Sequence, residues 1–151
     1  MPLAITLHLL AVIIWVGGMF FAYMALRPAA ARLEPPVRLA LWARVFERFF
    51  PWVWLAVAVL LLSGFWMIFG VLGGMAHVGV PVHVMMGLGI VMMLIFFHIY
   101  SAPFRRLKQA VAQADWAAGA GKLNQIRILI GINLVLSLVI VCVACAGRYP
   151  I

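Results

Sequence analysis

VPVHVMMGLGIVMMLIFFHIY, residues 80–100, contains no Lys, Arg, Asp or Glu, and its most polar side chains are His83 and His98. As a helix rising 1.5 Å per residue it is about 31 Å long, the thickness of bilayer hydrocarbon. Three further apolar runs of similar length lie outward from it, at about 3–26, 51–69 and 123–146. With 68% hydrophobic and 9% charged residues, the chain has too little polar surface to cover a water-soluble globule. None of the runs alternates polar and apolar residues like a barrel strand, and lipid tolerates only helices or closed barrels. The expected fold is all-α: an integral membrane four-helix bundle forming a single membrane domain over residues 1–151.

Charge supplies an orientation. Of the eleven Lys and Arg, Arg27, Arg32, Arg38, Arg44 and Arg48 surround the first connection, and Arg105, Arg106, Lys108, Lys122 and Arg127 surround the third. The second connection, 70–79, has none, and Arg148 alone stands near the C-terminus. The positive-inside bias therefore predicts that the first and third connections are cytoplasmic and both termini periplasmic, in a bacterial inner membrane. The first run is read as retained, since no cation precedes it and Arg27 closes it like a stop-transfer flank. A net charge of +8 concentrated beside membrane spans is a topology and anionic-lipid signal, with no nucleic-acid partner expected.

Both basic connections carry amphipathic segments. Val37, Leu41 and Val45 recur every four residues after Pro35 and Pro36, and Phe104, Leu107 and Val111 share a side after Pro103. Two short cytoplasmic interfacial helices are expected, the second ended by Gly119 and Gly121. The outer connection is short and glycine-rich and contains Met75 and His77.

Function is sought where polarity is expensive. His8 lies about 8 Å inside the first run and His83 at a similar depth in the third, and these co-oriented helices place both near the outer surface. His98 belongs near the opposite side, as an interfacial residue or a contact for a substrate carboxylate beside Arg27 or Arg127. Two level imidazoles can grip one metal or serve as axial ligands of a haem standing between helices. Gly87, one turn after His83, and Ala11, three residues after His8, leave room for a flat macrocycle, while Trp15 and Ile90 supply an apolar floor. The bland alternative is a structural hydrogen-bonded pair. His77 is a candidate third ligand, although a solvated loop histidine is its default state. Met85 and Met86, with Met75, suggest a thioether site for Cu(I), against the ordinary role of methionine as packing material. Asn133 and Ser137 are expected to hydrogen-bond across the bundle. Cys142 and Cys145 face away from that polar side and are read as small apolar residues.

The stretches LHLLAVIIWVGGMFF (7–21), LRPAA (26–30), VHVMMGLGIVMMLIFFHIYSAPFRRL (82–107) and LNQIRILIGINL (123–134) together resemble the CopD-type membrane proteins. A fainter similarity extends to the HemJ-type protoporphyrinogen oxidases, which share a four-helix plan, an early histidine in helix one and paired histidines at the ends of a later helix. The first resemblance implies copper uptake or resistance at the bacterial inner membrane. The second implies haem b, carried on matching positions by His8 and His83. The chain has Met85 where a lysine follows the third-helix histidine in HemJ-type proteins, and Leu26-Arg27-Pro28 where they have Pro-Arg-Leu. Both departures speak against protoporphyrinogen oxidation.

The expectation is thus a membrane protein holding haem b at its outer side, exchanging electrons with a quinone or another redox partner or handling metal. Copper transport is the next reading. A cofactor-free subunit of a larger membrane complex, or a homo-oligomer, is the third.

Overall fold

The computed structural model of the chain describes residues 1–148, and among them every regular element is helical. Helix α1 covers Pro2–Phe21 and passes through a π-helical turn, Ala22–Leu26, into the short α2, Arg27–Ala30. The widened turn has a local cause. Pro28 lacks the N–H that would bond the Met24 carbonyl, and the register shifts so that the Arg27 N–H reaches Ala22 O instead. Helix α3 (Pro35–Phe65) is prolonged by a second π-helical stretch, Trp66–Val71. A loop with positive φ at Gly73 and Gly74 leads to α4 (Val80–Ser101), then α5 (Pro103–Ala112) and α6 (Trp116–Arg148). The four long helical stretches run 29 to 37 residues, about 43–55 Å, longer than the hydrocarbon alone requires.

Helix α1 packs along α3 and α4 along α6, with α3 and α1 each also meeting α6. Helix α5 folds back against α6 and α3, burying Phe104, Leu107 and Ala110 while Arg105, Arg106 and Lys108 stay exposed. The outward faces carry Leu3, Ile13, Leu62, Leu94 and Val135, the surface that apolar spans present to lipid. This is a four-span, multi-pass membrane protein.

Two expectations need correction. Residues 37–48 do not form a separate interfacial helix, because α3 runs unbroken through Pro51. Proline removes one helical hydrogen bond, but Leu39, Trp42, Phe46, Phe50, Val53 and Val57 keep one face buried on both sides of it, and this packing outweighs the lost bond. Gly119 and Gly121 do not break a helix either. The chain reverses earlier, at Ala114 with φ +55°, and Asp115 Oδ1 accepts the Ala118 N–H at 3.2 Å to start α6 seven residues before the expected 123.

Gly119 instead allows close approach: a Cβ there would lie 3.2 Å from Leu39 Cδ1 and 3.5 Å from Ala110 Cβ, where α3, α5 and α6 meet. Gly119→Leu is expected to destabilise the bundle by about 1–3 kcal/mol through overpacking. Gly121 faces open space, so Gly121→Ala is neutral or gains up to ~1 kcal/mol of helix propensity. Unfolding midpoints of the two variants check the contrast, and equal midpoints would remove the close-approach reading.

The packing is uneven along the bundle axis. At the end carrying the basic connections, Phe50 lies 5.0 Å from Phe46, 4.8 Å from Phe104 and 5.4 Å from Phe96 between ring centroids. At the opposite, histidine-bearing end, nothing in α1 before Ala11, in α4 before Met92, or in the described part of α6 after Ser137 is buried. The side chain of Arg148 lies outside the described residues.

Candidate functional site

His8 is half-buried on α1 and turned toward α3, where its Nδ1 lies 2.8 Å from Ser63 Oγ. Ser63 is itself buried and donates its single hydroxyl proton to Val59 O at 2.6 Å. That proton cannot serve twice. With that proton on Val59 O, His8 Nδ1–H is the donor to Oγ, and in the neutral ring the lone pair then lies on Nε2. The tautomer is inferred from this hydrogen-bond network. A histidine whose Nδ1–H is held by an acceptor, with Nε2 free, is the form that binds metals.

The other two histidines of this end share the arrangement. His83 Nδ1 donates to Gly79 O at 3.1 Å and His77 Nδ1 to Gly73 O at 2.9 Å, since carbonyl oxygens only accept. Both rings are exposed. When neutral, the three imidazoles from α1, the loop and α4 each leave Nε2 to ligate, but each is held by its own neighbour. No extensive contact joins α1 to α4. Among the described residues no group of three or more His, Cys, Asp and Glu side chains is placed to hold a metal ion.

The residues expected to surround a macrocycle are dispersed. Trp15 is buried and stands edge-on to Phe96 at 6.2 Å, filling the core. Gly87 is exposed with nothing within 4 Å of a built Cβ. Ile90, expected in an apolar floor, is exposed. Met75, Met85 and Met86 are half-buried. Cys142 and Cys145 are free and exposed, as the helical phase predicts.

Deeper in the bundle, Asn133 Nδ2 donates to Met92 O at 3.1 Å and ties α6 to α4, as expected of a polar group in a span. Its Oδ1 is buried without a partner. Ser137 does not cross the bundle: its hydroxyl turns back to Leu134 O at 2.7 Å within α6, the local bond that a serine in a helix can always reach.

At the basic end a cavity of about 260 Å³ opens between α2, α3 and α6, lined by Arg27, Arg38 and Arg127. His98 is exposed and is not part of that lining, so the structure does not place it beside Arg27 and Arg127. A void of about 10 Å³ lies near Trp15 and Asn133, and neither it nor the basic cavity is lined by His8 or His83.

Sequence reading missed Ser63 as the partner of His8. The signal was present, because Ser63 lies near the end of one span and His8 near the start of its antiparallel neighbour, at one level. No curated protein and no solved structure matches the chain. A family model does match residues 43–146, from within α3 to near the end of α6, a stretch that includes Ser63, His77 and His83 and leaves His8 outside. That model describes CopD, copper resistance protein D, and because it covers more than half of the chain, this membrane protein belongs to the CopD family.

Proposed function

We propose that this CopD-family protein receives copper ions at the histidine end of its bundle, with His8 Nε2 as the anchoring ligand. The observation that carries the reading is the Val59–Ser63–His8 chain of hydrogen bonds, which favours a metal-ligating tautomer part-way inside a membrane span. An ionisable ring is costly there unless it works. His77 and His83 carry imidazoles of the same tautomer on the loop and at the start of α4, and Met85 and Met86 half-buried thioethers suited to Cu(I); the three histidines are not gathered into one ligand group. Copper is cargo in this reading. The charge bias supports a basic end in the cytoplasm and a histidine end facing outward, in a bacterial inner membrane.

The haem b reading, with electron exchange to a quinone, has less support. His8 engages α3 while His83 lies exposed on α4, bonded to its own Gly79 carbonyl.

The test is a titration of the detergent-purified full chain with Cu(I) against a chromophoric chelator, with an absorbance spectrum of the same sample. One tightly held copper per chain with nitrogen ligation by X-ray absorption, and no Soret band, is the expected result. A reducible Soret and α band in stoichiometric amount would replace copper with haem. Neither signal would leave the accessory-subunit reading.

A further inference from the structure

The cavity at the basic end is independent of the histidines and of the copper reading. Its walls bring together Arg27 from α2, Arg38 from α3 and Arg127 from α6, all half-buried, along with Tyr23, Trp42 and Asn124. The chain has only three acidic residues, Glu34, Glu47 and Asp115, and none lines this space. Arg27 stacks on the Tyr23 ring, its guanidinium carbon 4.8 Å from the centroid, which holds the group in place without neutralising it. Three like charges gathered from three helices repel one another and lose hydration. Such an arrangement is stable when an anion sits among them, and guanidinium forks match the oxygens of a phosphate.

We propose that this cavity binds a phosphate group, carried by an anionic lipid headgroup or free in solution. The surroundings favour the lipid. The cavity is partly open, Trp42 and Ile130 give it apolar walls, and basic recesses between membrane helices recognise phosphorylated headgroups by this combination. Asn124, Tyr23 and Trp42 bring uncharged polar groups to the lining, available to the phosphate oxygens or the glycerol. The occupant contributes one or more negative charges and ties α2, α3 and α6 together where the first and third connections meet.

The test uses the full chain and native mass spectrometry, or lipid titration in detergent, comparing phosphatidylglycerol with phosphatidylcholine and with inorganic phosphate. Phosphatidylglycerol is expected to bind with clear preference over phosphatidylcholine. The double variant Arg38→Gln with Arg127→Gln is expected to weaken it by roughly 30-fold, at about one charge's worth of attraction per arginine. Arg44, exposed on α3 and Arg105, exposed on α5, lie outside the cavity, so Arg44→Gln with Arg105→Gln is the charge-matched control and keeps the preference. If inorganic phosphate displaces the lipid and is lost with the same two arginines, the site stands and its occupant is the free anion. Unchanged lipid preference in the cavity variant, or equal loss in both variants, overturns the proposal. Arg38→Lys with Arg127→Lys guards against a folding defect: partial retention of binding is expected, and full loss with an unchanged unfolding midpoint in phosphatidylcholine assigns the effect to guanidinium geometry.

Discussion

Phe50→Ala is expected to lower the stability of the folded bundle by about 2–4 kcal/mol. The estimate must be built for lipid. In water the cost of such a truncation includes transfer of the lost ring out of an apolar environment, whereas acyl chains are as apolar as the core and that part largely drops out. What remains is the void. Removing roughly 100 Å³ of ring at ~24 cal/mol per Å³ of unfilled cavity gives about 2.4 kcal/mol. To this are added lost edge and stacking contacts, since Phe50 touches Phe46, Phe49, Phe96, Tyr100 and Phe104, at ~0.5–1.5 kcal/mol for each favourable aromatic pair before relaxation. The ring is 2% exposed and joins α3 to α4 and α5, so neighbouring side chains cannot collapse into the gap without moving helices. Trp52, two residues away and exposed, provides the contrast: Trp52→Ala stays within about 0.5 kcal/mol. Unfolding midpoints in mixed micelles decide the matter. Equal midpoints for the two variants would mean that the aromatic cluster is incidental to the bundle.

The position of this cluster bears on how much was legible beforehand. Hydropathy alone found the four spans, because each needs a continuous apolar run whatever its neighbours do. Asn133 was legible as a bridge for the same reason: an amide in a span has to find a partner. What the sequence hid were features made by packing between distant segments. Pro51 reads as a boundary until the buried face that continues from Phe50 to Val53 is seen. Gly119 reads as a helix breaker until Leu39 is found against it. Arg27, Arg38 and Arg127 read as three topology signals among ten, and only the meeting of three helices turns them into one cavity. His8 was legible as a residue to explain, but its partner was sought on α4 because both carry histidine. Depth matching applied to hydroxyls as well as imidazoles would have placed Ser63 beside it.

His8→Ala is expected to abolish the proposed copper site, and Ser63→Ala to weaken it by about 10–100-fold, the usual cost of removing a group that orients a metal-ligating histidine. That is roughly 1.4–2.7 kcal/mol. Ser63 touches no metal in this scheme. Its hydroxyl accepts the His8 Nδ1 proton while giving its own to Val59 O, and without it the ring is free to rotate and to exchange tautomers. The loss cannot be blamed on an orphaned carbonyl, since the helical N–H of residue 63 still serves Val59 O. Ser63→Thr keeps an oxygen that bonds back to the preceding turn in the same way, and is expected to restore affinity to within a few-fold. The decisive comparison is the double variant. If Ser63 acts only through the His8 ring, then Ser63→Ala adds nothing once His8 is alanine, and the two effects are strongly non-additive. Copper affinities by chelator competition complete the cycle. Additive losses would show that Ser63 acts elsewhere, and wild-type affinity in Ser63→Ala would mean that the hydrogen-bonded chain through Val59, Ser63 and His8 is architecture without a part in binding.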